Sequence, residues 1–137
     1  MICFLDTSVV LRRLFGEKPA LKGWGSWQEA YVSELVRVEA LRTLDRLFRQ
    51  RSLDEERLAD AIGRVGELLD HLGEVALSRS ILSRASQSFP TPLKTLDALH
   101  LATALLWQEQ KRHAPIFLTH DRHQATAARA AGLLVSM

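Results

Sequence analysis

The sequence alternates short apolar runs with stretches of helical periodicity, and this alternation restricts the fold more than any other feature. Residues 2–6 (ICFLD), 30–33 (AYVS), 74–78 (EVALS), 115–119 (PIFLT) and the terminal LLVSM are too short for stable helices and read as strands. Strands buried on both faces and separated by helices belong to a mainly parallel sheet, because parallel neighbours need a crossover of helical length. With 137 residues, 47% of them apolar, the chain can bury one substantial core, so residues 1–137 read as a single α/β domain.

Local signals place the helices. Thr7 to Phe15 follows the first strand and ends near Gly16. Residues 34–50 make an amphipathic helix in which Val36, Ala40, Leu44, Leu47 and Phe48 share one arc and Glu39 falls outside it. Ser52 followed by Glu55 matches a capping box that opens a helix over about 53–72, closed by Gly73. Residues 78–89 read as a short helix halted by Pro90 and Pro92. Thr95 caps a helix from Leu96 to about Lys111 that is apolar almost all round, and Asp121 opens an alanine-rich helix ended by Gly132. Between 17 and 28 the pattern blurs: Ala20, Trp24 and Trp27 have helical spacing, but Gly23 and Gly25 each weaken a helix by about 1 kcal/mol relative to alanine. Helix and ordered loop both stand there, with the tryptophans as a hydrophobic anchor or a stacking surface.

Four acids have two readings each. Asp6 and Asp121 follow strands and precede helices, as N-caps do; Asp97 lies in a first helical turn, where the dipole favours an anion; Glu39 can pair with Arg42. In a parallel sheet, however, the helix N-termini gather at one edge, which is where ligands bind in such folds. Four carboxylates on one rim repel: two unit charges ~5 Å apart at an effective dielectric near 20 cost roughly 3 kcal/mol, more than a cap or surface pair returns. A hard divalent cation, Mg²⁺ with Mn²⁺ as the alternative, offsets this repulsion and suits oxygen ligands and phosphate. Metal-dependent hydrolysis of nucleic acid is then the leading chemistry.

Other classes are disfavoured. The lone Cys3 cannot form an internal disulfide and reads as a buried thiol of a reducing compartment, and no thiolate zinc site is available. No apolar run approaches the ~20 residues of a membrane span, so a cytoplasmic protein is expected. Net charge is only +2, yet 14 of 18 cationic residues are arginine, the side chain whose planar fork suits phosphates. Arg12, Arg13, Arg42 and Arg46 lie on helices that begin at the acidic rim and are candidates for RNA phosphate contact, against solvated faces or partner contacts. His100, one turn after Asp97, reads as a packed or surface histidine rather than a site residue; His71, His113 and His123 carry no pattern.

FLDTS at the start, SELVRVEALR around Glu39, LDALHLATAL around Asp97 and FLTHDRHQATAARAAGLLV around Asp121 together resemble the PIN-domain ribonucleases, specifically the VapC toxins of toxin–antitoxin pairs. The resemblance covers nearly the whole chain, with residues 20–28 its least typical part. It implies a three-layer α/β/α domain in which Asp6, Glu39, Asp97 and Asp121 hold Mg²⁺ or Mn²⁺ for cleavage of RNA. It also implies a homodimer and a cognate VapB-type antitoxin. Ser8 and Thr119 match the family's small polar positions and orient a ligand or water, or else make local backbone hydrogen bonds. His120 is assigned no general-base role. A catalytically silent PIN-like module that binds RNA or protein is the alternative, disfavoured by the intact acid set. A receiver-like phosphoacceptor domain ranks below both, because it wants a paired acid in the first strand where Thr7 stands here.

Overall fold

The computed structural model describes residues 1–137. In chain order the elements are β1 (Ile2–Leu5), α1 (Thr7–Phe15), β2 (Glu29–Ser33), α2 (Leu35–Arg49), α3 (Glu55–Asp70) and β3 (Gly73–Val75). There follow α4 (Arg79–Ala85), α5 (Thr95–Lys111), β4 (Ile116–Leu118), α6 (Arg122–Ala130) and β5 (Leu134–Ser136). The five strands form one sheet, all parallel, in the order β3-β2-β1-β4-β5. No helix is long and apolar enough to cross a membrane.

The period of two in β1 divides the core. Cys3 and Leu5 point to one face and pack with Val9, Val10 and Leu14 of α1, Val36, Ala40 and Leu44 of α2, and Ala61, Val65 and Leu69 of α3. Phe4 points to the other and packs with Leu101, Ala104 and Leu105 of α5, Phe117 of β4, and Ala127 and Ala128 of α6. One sheet between two helical layers is the α/β/α architecture expected. Each fully buried Leu, Val or Phe side chain stabilises it by about 1.5–3 kcal/mol. α5 is buried on several sides, from Leu101 through Leu105 without a break, because it is packed between the sheet and its helical neighbours.

Several local expectations need correction. Residues 17–28 contain no helix; Gly23 and Gly25 adopt left-handed φ of 72° and 82°, which a helix does not tolerate. Trp24 and Trp27 meet edge to face at 5.1 Å and pack on the α1–α3 core, so they are an anchor. Asp54, not Ser52, caps α3 by accepting from the Arg57 N–H at 2.8 Å; an ionised cap two residues on also sits against the positive helix end. Thr95 is the first residue of α5, and Lys94 occupies the cap position without a capping side-chain bond. Gly73 does not close α3, which ends at Asp70; it lies in β3, where a Cβ would come within 2.5 Å of the Tyr31 ring. Strand β3 is consequently shorter than the predicted 74–78.

The strand order fixes the position of a crevice. From β1 the chain builds outward through β2 to β3, then returns to the other side of β1 for β4 and β5. Connections leave the carboxyl ends of β1 and β4 in opposite directions, and the space between them is the switch point of the sheet.

Candidate active site

Asp6 leaves β1 at that switch point and Asp121 follows β4, while α2 and α5 bring Glu39 and Asp97. The pattern strand, aspartate, helix predicts two caps, and only one is made. The Asp121 Oδ1 accepts from the Gln124 N–H at 3.1 Å and caps α6. Asp6 occupies the cap position of α1 but its carboxylate bonds no helical N–H. Instead its Oδ2 accepts from the Ser8 hydroxyl at 2.7 Å and the Thr119 hydroxyl at 3.0 Å, in a position only 4% exposed.

These hydroxyls link two loops. Ser8 also accepts from the His120 N–H and Thr119 from the Asp121 N–H, both at 3.0 Å, so α1 and the β4–α6 turn are fastened to one carboxylate oxygen. Of the two readings of Ser8 and Thr119, both hold in part: each accepts from a backbone N–H and each orients a site acid.

Glu39 is not paired with Arg42, which reaches Asp45 instead. Its Oε1 accepts from the Thr7 hydroxyl at 2.9 Å and shares a hydrogen bond with His100 Nε2, which also lies 3.0 Å from the Thr7 hydroxyl. His100, expected on a packed or surface position, is buried at 1% exposure and is nonetheless part of the site. Burial alone would lower its pKa; the hydrogen bond to Glu39 and the charges of Asp6, Glu39 and Asp97 outweigh it and raise the pKa above the ordinary value. The spacing of three from Asp97, one helical turn, is the signal that pointed to it.

Asp97 reports the crowding of charge. Its pKa is raised, first by burial and then by the charges of Asp6, Asp121 and Glu39, with His100 acting in the opposite sense. Asp6, Glu39 and Asp121 therefore all lie within electrostatic reach of Asp97. Gln124, fully buried and not anticipated, donates from Nε2 to the Asp97 carbonyl at 3.0 Å while its own N–H holds Asp121, so it ties two of the acids.

The donor set suits a hard, hydrated cation. Asp6, Glu39 and Asp121 each have one oxygen held by internal hydrogen bonds, and no hydrogen bond occupies their second oxygen. No three acidic, histidine or cysteine side chains stand close enough together to hold a metal ion by themselves. Mg²⁺ keeps several waters and takes one or two carboxylates, so an open set of oxygens fits it, whereas zinc prefers four tight N or S ligands.

The arginines are mostly engaged elsewhere. Arg12 donates to the Pro19 carbonyl at 3.1 Å, near enough to His120 for its charge, after burial, to lower that imidazole's pKa. Arg13 lies over Trp24 at 5.4 Å, and Arg46 joins Arg42 and Arg49 on an α2 patch around Asp45. Lys94 and His123, neither of them predicted, line a cavity of about 620 Å³ whose wall includes Asp97 and Asp121.

Comparison with known proteins bears on this arrangement. Residues 3–130 match the family described as PIN domain. Ribonuclease VapC47 of Mycobacterium tuberculosis (strain CDC 1551 / Oshkosh) is 28% identical over 97% of this chain and 94% of its own. Ribonuclease VapC46 of M. tuberculosis (strain ATCC 25618 / H37Rv) is 30% identical over 96% and 94%. Among solved structures, VapBC2 from Rickettsia felis bound to a promoter DNA fragment superposes with a TM-score of 0.70 at 12% identity, over 99% of this chain and 98% of that one. This last likeness is one of fold.

Proposed function

The chain belongs to the PIN-domain family, and on that premise we propose that it is a VapC-type ribonuclease, the toxin of a VapBC-type pair, which cleaves RNA endonucleolytically with Mg²⁺ or Mn²⁺. The observation that carries the reading is that Asp6, Glu39 and Asp121 each have one oxygen held and one without a hydrogen bond, beside an Asp97 whose pKa is raised first by burial and then by the charges of those three carboxylates. Uncompensated, such a cluster only destabilises; a divalent cation and a phosphodiester turn it into a binding site.

When bound, the cation supplies neutralisation of charge on phosphate oxygens and a more acidic water. The protein residues supply position. Ser8 and Thr119 hold one oxygen of Asp6 and leave the other for a ligand. Thr7 and His100 do the same for Glu39, and the cap on α6 does it for Asp121. Carboxylates fixed in this way lose little entropy on binding, which is the benefit of a preorganised site.

The test is cleavage of single-stranded RNA by purified protein with Mg²⁺, Mn²⁺ or EDTA, beside Asp6→Asn. Metal-dependent cleavage abolished by Asp6→Asn supports the reading; equal cleavage by the variant, or none with any divalent ion, removes it. A VapB-type antitoxin partner and a homodimer belong to the same reading. The partner is supported by the VapC names of the relatives and by the VapBC assembly of the structural neighbour. Co-expression with the adjacent reading frame and light scattering test them.

A further inference from the structure

The cavity beside Asp97 and Asp121 has walls of two kinds. These acids line it together with Lys94, His123, Thr91 and Thr126. A basic side chain beside a cluster of acids ordinarily closes an ion pair, and the ion pairs of this protein include neither Lys94 nor His123. Both are exposed cationic or titratable groups left available next to the site. The hydroxyls differ: Thr126 donates to the Arg122 carbonyl, whereas the covered hydroxyl of Thr91 has no hydrogen-bond partner, a condition that costs about 1–3 kcal/mol until one is met. The one aromatic ring that lines the space is the His123 imidazole, and no Phe, Tyr or Trp is there to make a larger stacking platform.

We propose that this cavity is the subsite for the nucleotide adjacent to the bond that is cut, with Lys94 holding its phosphate and Thr91 its ribose 2′-hydroxyl. The assignment rests on the ribonuclease reading above and gives it a substrate register: the chain passes over the start of α5 toward the acids. Its volume of about 620 Å³ accommodates one nucleotide in the range usual for ligand sites. The arginines nearer the first strand are less suited to this role, since Arg12, Arg13 and Arg42 already hold the Pro19 carbonyl, Trp24 and Asp45. Recognition through phosphate and 2′-hydroxyl is sequence-tolerant and separates RNA from DNA.

The experiment measures binding of a fluorescein-labelled, random-sequence single-stranded RNA, and of the matching DNA, in an Asp6→Asn background that prevents cleavage. Lys94→Ala should raise the RNA Kd about tenfold and reduce the slope of log K against log salt by roughly 0.7, the loss of one phosphate contact; Lys94→Arg should retain most of both. Thr91→Val should weaken RNA more than DNA. Mn²⁺-induced thermal stabilisation, measured with Asp6 intact, should be unchanged in Lys94→Ala. An unchanged RNA Kd and salt slope in Lys94→Ala overturns the assignment, as does an equal loss in Lys94→Ala and Lys94→Arg accompanied by a fallen melting temperature. Lys94-dependent RNA binding by a protein that hydrolyses no RNA would leave the subsite standing and remove the nuclease reading. Cleavage with Lys94-independent RNA binding would do the reverse.

Discussion

The two strand-to-helix junctions at the centre of the sheet begin from the same pattern and end differently. At β4–α6 the aspartate acts locally, and Asp121 Oδ1 caps the helix that follows it. At β1–α1 it does not. Asp6 stands in the cap position with extended backbone, yet its carboxylate turns to Ser8 and to Thr119 on the other junction. A helix that leaves its first N–H groups without an available cap forgoes about 1 kcal/mol. Asp6 is thus held for a purpose other than local stability, and the junction across the crevice helps hold it. Asp121 thus stabilises its own helix, whereas Asp6 leaves its helix uncapped and ties the two junctions together.

The largest expected effect tests that division. Removal of an outer-shell partner in a metal site typically costs about 10–100-fold, so Asp6→Asn, which alters a carboxylate itself, should lower cleavage by more than about 100-fold. Its melting temperature in EDTA should stay level or rise, because a repulsive charge has gone and no cap bond is lost. A drop of several degrees would mean that Asp6 is structural.

Thr119→Val is next. The side chain is fully buried and nearly isosteric with valine, but the change leaves the Asp121 N–H and one bond to Asp6 unmet. Denaturant unfolding should show a loss of about 1–3 kcal/mol, and Mn²⁺ titration a weaker site. If stability falls and metal affinity does not, the link between the junctions is only structural.

A smaller contrast separates the aspartates directly. In metal-free buffer Asp121→Ala should lose the cap, about 1 kcal/mol, partly offset by relief of repulsion, while Asp6→Ala should lose no cap but deprive the Ser8 and Thr119 hydroxyls of their acceptor, about 1–3 kcal/mol before the same relief. Equal losses in urea unfolding would erase the distinction.

The smallest effect is in pH dependence. The folded pKa of Asp97 is raised above 3.8, so the folded state takes up its proton more readily than the unfolded chain. That contribution to stability is complete below the unfolded value and disappears as pH rises through the folded one. His100, raised above 6.5, follows the same sign at higher pH. Unfolding in EDTA should therefore grow easier from acid toward neutral pH, and Asp97→Asn should flatten the lower part of that trend. A trend of opposite sign would mean that burial and the neighbouring charges do not raise these pKa values in the folded protein.

Helix and strand identity was mostly legible because it rests on local periodicity. ICFL and IFL are apolar on both faces, α2 shows a clear arc, and Gly16 stands at φ 64° where α1 ends. Boundaries were less so. Asp54 competed with Ser52 for one helix end, and Gly73 serves the Tyr31 ring rather than a helix terminus, neither of which a window of neighbours reveals. The gathering of four acids on one rim was also legible, since in a parallel sheet it follows from their places in the alternation. Their partners were not: His100 lies 61 positions from Glu39, Thr119 lies 113 from Asp6, and the Lys94 cavity joins α5 to α6.

By itself the sequence determined the alternation, and with it the parallel sheet and the end at which carboxylates collect, since these depend on side-chain periods of two and 3.6 that any short segment carries. Tertiary structure alone decided which oxygen of each carboxylate is bound and which is open, and which cations stand beside them unpaired. Hydrogen bonds act over about 3 Å and depend on direction, and those contacts form only when crossovers bring distant segments together.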